Sequence, residues 1–276
     1  MRIAKIIVTY LSIGFLGLIT LSLLLFHIFK RDLNNMVLAT LQPYIKAEVK
    51  VGSLQTTFLE TFPKGSIELV NVRIGETDST SSKNAYEIGR VYLLFDYKDF
   101  ITGNIRIRQV IIRDALIHMA YDKNGKSNFE FWNKEAKSVS DSTQVALDLD
   151  QVVIYNSKYS FYNQKDDFAL QAQIKKGQFS LHSLAGKTQL EILADFDIKD
   201  LRNGQMHWIQ NKKLSSSLGF VVADLDKYTI QNGDLMIEGM KFSIDGTIDK
   251  SSKDIYTDIR IKSTYSRLEE RLSLSP

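Results

Sequence analysis

From about Lys46 onward, apolar and polar residues alternate in stretch after stretch, and a period of two is the pattern of a strand with one buried face. In TQLEILADFDIKD, Leu190, Ile192, Ala194, Phe196 and Ile198 point one way while Gln189, Glu191, Asp195 and Asp197 point the other. Phe168, Leu170, Ala172 and Ile174 repeat the pattern, as do Val91, Leu93, Phe95 and Tyr97, and Ile255, Ile259 and Ile261. Turn signals stand between these runs at Asn124-Gly125, Gly177, Gly186, Asn203-Gly204, Asn232-Gly233 and Asp245-Gly246. The spacing predicts a long antiparallel meander of about a dozen strands. The apolar parity slips by one between Ile105 and Ile107 on one side and Val110 and Ile112 on the other, which predicts a β-bulge or a sharp bend.

Such a sheet must bury its apolar face against something. Either it closes on itself as a sandwich or barrel, or it forms an open groove whose lining is covered by a ligand with long hydrocarbon parts; alternation is the same in both. The inward parity selects Val91, Leu93 and Phe95; Ile105, Ile107 and Ile112; Phe168, Leu170 and Ile174; Leu190, Ile192 and Phe196; and Met240, Phe242 and Ile244 as the candidate lining.

The N-terminus has a different pattern. Residues 6–29, IIVTYLSIGFLGLITLSLLLFHIF, carry no Asp, Glu, Lys or Arg, and about 20 apolar residues suffice to cross the hydrocarbon core as a helix. The run is longer than a signal-peptide core and no small-residue cleavage site follows, so an uncleaved signal anchor is expected. Basic residues flank it on both sides, Arg2 and Lys5 before it and Lys30 and Arg31 after it, so charge does not set its orientation. In DLNNMVLATLQPYIK, Leu33, Met36, Val37 and Leu41 have helical spacing with Asp32 as N-cap, which predicts a short amphipathic helix. The expected organisation is thus a cytoplasmic tip and anchor over 1–31, the amphipathic helix over 32–45, an elongated β-domain over 46–265 and a polar tail over 266–276.

The chemistry the chain lacks narrows its function. A net charge of +3 with no clustered basic face or RNP-like motif argues against a nucleic-acid partner. With no cysteine there is no disulfide, thiolate metal site or lipidated cysteine. The four histidines, at 27, 118, 182 and 207, fall in no metal-binding or catalytic spacing, and neither GxSxG nor a P-loop occurs. No enzyme activity, metal or cofactor is expected. Paired acids such as Asp148 and Asp150, or Asp195 and Asp197, have the spacing of a strand's solvent face rather than of a calcium loop. His118, among apolar neighbours, reads as a half-buried, hydrogen-bonded side chain, and Trp132 and Trp208 as packing or lipid contacts.

Three stretches taken in order resemble the N-terminal part of the AsmA-like family of membrane-anchored envelope proteins. They are YIKAEVKVGSLQTTFLETFPKGSIELVNVRIGE after the anchor and short helix; GRVYLLFDYKDFITGNIRIRQVIIRDALIHMAYDKNGKSNFEFW, with Asp122, Gly125 and Asn128 close to the family's dG..N turn; and LDLDQVVIYNSKYSFYNQ. The resemblance implies a curved β-groove in the periplasm on an inner-membrane anchor with a cytoplasmic N-terminus. It implies phospholipid acyl chains as the ligand and a part in lipid transfer toward, or maintenance of, the outer membrane. The other reading is a non-enzymatic β-domain displayed on the membrane as a protein-interaction or assembly scaffold. AsmA-like chains usually continue further, so bridging an envelope would call on oligomers, a partner or a missing C-terminal portion.

Overall fold

The computed structural model describes residues 47–57, 61, 64–75, 85–102, 105–129, 145–184, 187–224, 227–251 and 256–263. The expected anchor, amphipathic helix and polar tail, together with Trp132, Ile255 and Gly186, lie outside these residues. Among the described residues no helix is long and apolar enough to cross a membrane.

Eleven strands follow one another: β1 (Glu48–Thr57), β2 (Gly65–Gly75), β3 (Tyr86–Phe95), β4 (Ile105–Tyr121), β5 (Val145–Asn163), β6 (Phe168–Leu184), β7 (Lys187–Asn203), β8 (Met206–Asp224), β9 (Lys227–Ile237), β10 (Met240–Asp249) and β11 (Tyr256–Ser263). One short helix, α1 (Tyr97–Thr102), intervenes after β3. It replaces the strand end expected at Tyr97; the side chain of Thr102 donates back to the carbonyl of Lys98 within it.

All eleven strands form one sheet in sequence order. Every substantial contact between strands is between hydrogen-bonded neighbours, and α1 alone lies against a strand, β4. The described residues are therefore a single layer, open and uncurled, rather than a closed sandwich or barrel. The curved groove expected from the resemblance is corrected accordingly: the sheet is open but uncurled.

The meander also departs from a purely antiparallel one. β4 and β5 run parallel, from Ile105 beside Val145 to Tyr121 beside Asn163. A parallel pair needs a connection of a dozen or more residues to carry the chain back, and residues 122–144 supply it. Their first residues close a tight turn at Asn124-Gly125. Asp122 accepts the backbone N–H of Asn124 and of Lys126, each at 2.8 Å, and Gly125 takes φ 79°. Asn128 then clamps the end of β4, accepting the Ala120 N–H at 2.8 Å and donating to the His118 carbonyl at 3.0 Å.

Asn203-Gly204 turns as expected, but Gly177, Asn232-Gly233 and Asp245-Gly246 lie inside strands. The latter two mark slips rather than turns: Asn232 has φ 53°, and register shifts fall between Ser217 and Gly219 and between Ile244 and Gly246. Gly177 sits mid-strand, where a Cβ would make ordinary contacts with Ile154, Ile174 and Phe179. The predicted bulge in β4 is present, as a register shift between Ile107 and Gln109.

A second slip crosses five strands at one level. Gly52, Asn71, Gly89, Asp114 and Asn156 stand opposite one another in β1 to β5, between the paired residues that flank them. Asn71, Asp114 and Asn156 adopt the left-handed conformation, at φ 54°, 55° and 46°, which short polar side chains tolerate better than others. A Cβ on Gly52 would sit 3.1 Å from the Asn71 Cβ, and one on Gly89 3.1 Å from the Asp114 Cβ, so glycine alternates with Asn or Asp from β1 to β4, after which Asp114 meets Asn156 directly. Each left-handed residue adds a half-step to the pleat. The apolar parity thereby passes from Leu69 to Val72, and from Ile112 to Ala115, without leaving its face.

Candidate functional site

Residues directly opposite in neighbouring strands share a face of the sheet, so the register maps every side chain. One row runs the full width: Leu54, Leu69, Val91, Ile112, Ile154, Gly177, Ala194, Ser216, Leu235, Phe242 and Ser263. Rows above and below it are equally apolar. The result is one continuous hydrocarbon face, about 48 Å across ten strand spacings and about 56 Å along a seventeen-residue strand.

All fifteen residues selected from the sequence lie on this face. Val91, Leu93 and Phe95 come from β3; Ile105, Ile107 and Ile112 from β4; Phe168, Leu170 and Ile174 from β6; Leu190, Ile192 and Phe196 from β7; and Met240, Phe242 and Ile244 from β10. They do not share one environment. Leu93, Phe95, Ile105 and Ile107 belong to a buried cluster with Ile67, Leu69, Val72 and Ile88, whereas the members in β6 and β7 are half-buried. Exposure rises further in β11, where Ile261 is 61% exposed.

The register adds residues the sequence reading passed over. Val72, Ile154, Tyr159, Leu214, Phe220, Ile230 and Leu235 lie on the same face. Several of them sit just past a left-handed slip, where simple alternation assigns the wrong side. Tyr159 and Tyr86 flank Ile117 on this face, and burial pushes both phenols above their ordinary value; the charge of Tyr159 adds to the effect on Tyr86.

At the end of the sheet formed by the β5–β6 and β7–β8 turns, the apolar face carries a chain of aromatic rings. Phe129 packs edge-on to Tyr121 at 5.1 Å, Tyr121 to Phe161 at 6.0 Å, Phe161 to Phe168 at 6.0 Å, and Phe168 to Trp208 at 6.2 Å. Such pairs prefer this geometry because the ring edge is positive and the face negative. Trp208 enters the row at the register shift between Leu201 and Arg202 and remains 43% exposed.

The opposite face is mixed: Tyr92, Leu94 and Val153 are buried on it, and polar side chains pair between them. Glu68 meets Arg90 at 3.7 Å, Lys241 meets Asp234 at 3.1 Å, and Arg113 stacks over Tyr155 at 5.0 Å. Gln109 donates to Gln151 at 2.6 Å, and Gln151 reaches Ser180 at 3.4 Å. His118 lies on this face, half-buried, with Nδ1 2.8 Å from the Ser160 hydroxyl. Among the described residues no three acids or histidines gather as a metal site.

Along the rows that cross the described strands, the arrangement presents mainly hydrocarbon side chains, with the phenols of Tyr86 and Tyr159 among them. What it can do is remove hydrocarbon from water over a large, continuous area. The chain matches no protein-family model, no curated protein and no solved structure.

Proposed function

We propose that the chain binds the acyl chains of phospholipid on this apolar face, held beside an inner membrane by residues 6–29, and contributes to lipid transfer toward, or maintenance of, the outer membrane. One observation carries the reading. Among the described residues, the apolar side of an eleven-stranded sheet has no second layer over it. Large exposed apolar patches mark interaction sites, and beyond the buried cluster of β2 to β4 this face keeps Phe179, Leu181, Trp208, Ile259 and Ile261 exposed. Hydrocarbon asks only for a dry surface, worth about 0.8 kcal/mol per methylene buried. No single side chain is then indispensable, but one charge would be costly, because it must keep its water. The AsmA-like resemblance supports the same reading.

The test is native mass spectrometry with lipid extraction on the full chain in mild detergent. Phospholipid should co-purify in stoichiometric amount, be retained in Ile192→Ala and be lost in Ile192→Asp, with the circular dichroism of both variants unchanged. A folded chain free of lipid, or equal retention in the two variants, would overturn the reading.

A further inference from the structure

An open sheet has two edges, and here they differ in kind. Among the described residues, β1 and β11 each pair on one side only. β1 is interrupted at Gly52, where its alternation slips, and a kinked edge is a poor template for a new strand. β11 has no interruption. It contains no proline, its apolar side chains Ile259 and Ile261 lie on the hydrocarbon face, and its charges all lie on the other. Of the usual guards against edge pairing it has its short length and three charges, but the charges all lie on one face, and it has no proline, bulge or inward charge.

We propose that β11 is a dimerisation edge, pairing antiparallel with β11 of a second copy about a two-fold axis through Ile259. The charge pattern selects both the partner and the register. With Ile259 facing its own mate, Asp258 faces Arg260 of the second copy, Arg260 faces Asp258, and Thr257 faces Ile261. Centring the axis on Asp258 or Arg260 sets like charge on like, and centring it on Ile261 sets Arg260 against Lys262. Among the described residues Asp258 and Arg260 pair along the strand at 3.5 Å, largely exposed, and Arg260 also stands opposite Asp245 of β10. Because directly opposite residues share a face, the two hydrocarbon faces meet on the same side and become one. Self-complementary contacts of this kind are the commonest basis of homodimers. The inference rests on the strand edge and not on the lipid reading.

The test uses the full chain in mild detergent, with mass measured by light scattering or sedimentation. The unaltered chain should be a dimer. Asp258→Arg alone and Arg260→Asp alone should each be monomeric, while a mixture of the two should restore a dimer containing one of each. Since the chain has no cysteine, Ile259→Cys should form a disulfide-linked dimer on mild oxidation and Val49→Cys should not. A monomer at all concentrations, a dimer indifferent to Asp258→Arg, or cross-linking through Val49→Cys in place of Ile259→Cys would overturn the proposal.

Discussion

The side-chain amide of Asn156 donates to the carboxylate of Asp114 at 2.6 Å, across the parallel pair β4–β5. Both residues are left-handed, at φ 46° and 55°, so the bond joins two points where the pleat slips together. A left-handed conformation costs an ordinary residue about 1–2 kcal/mol, and a β-branched one more. Replacing Asn156 should therefore destabilise the chain in the order valine, alanine, glycine, with glycine losing little beyond the hydrogen bond. Urea denaturation of the full chain checks this ranking, and equal midpoints for the valine and glycine variants would contradict it.

Gly246 makes a different demand. A Cβ there would strike the carbonyl oxygen of Asp258 in β11, and a backbone atom in a ladder has nowhere to go. Gly204, by contrast, has φ 58° and open space around it. Gly204→Ala should cost about 1–2 kcal/mol, the ordinary left-handed penalty, whereas Gly246→Ala should separate β11 from β10. Hydrogen exchange would show the difference as fast exchange at the β11 amides in the second variant alone.

How legible these features were depended on the kind of signal. From Leu190 to Ile198 the apolar parity holds except at Leu193, so the strand and its side could be read directly. The same rule found the face residues taken from within a run, and Ile105, Ile107 and Ile112 share the face because the slip between them, visible in the sequence, is a bulge in β4. It failed where a polar residue did two things at once. Asn232-Gly233 has turn chemistry, yet the left-handed Asn232 shifts register inside β9 and the chain runs on. Local sequence cannot tell those outcomes apart, since both need a positive φ. The parallel pairing of β4 and β5 was hidden for another reason: a hairpin turn at Asn124-Gly125 looks the same whether the next long strand pairs there or after a return. The slip row from Gly52 to Asn156 exists only once five strands are aligned.

The pairing of Lys175 with Asp197 gives a pH dependence of known sign. The ammonium lies 2.8 Å from the carboxylate, and its hydrogen bond, with the nearby charges of Lys175, Lys199 and Lys213, holds Asp197 below its ordinary value against the opposing effect of burial. A carboxyl depressed in the folded state contributes stability above its unfolded pKa, about 3.9, and loses it as pH falls through the lower folded value. Lys175→Met should therefore lower the denaturation midpoint at pH 7. The gap from the unaltered chain should close as the pH drops well below 4. A gap constant across that range would mean that the lysine stem, not the charge pair, carries the effect.

Trp208 provides a reporter for the proposed lipid path. It touches Phe168 on the hydrocarbon face, is 43% exposed, and stands at the end of the aromatic row. The sequence holds one other tryptophan, Trp132, so a Trp132→Phe background isolates its emission. Bromine on an acyl chain quenches indole only at close range. If chains lie on this face, loading with phospholipid brominated in mid-chain should shift the emission to the blue and then quench it, and Ile192→Asp should abolish both changes. Phe168→Ala should leave quenching in place, since the surface and not the ring pair binds the lipid. Retained lipid without quenching would put the hydrocarbon elsewhere on the chain, and the apolar face would then need another occupant.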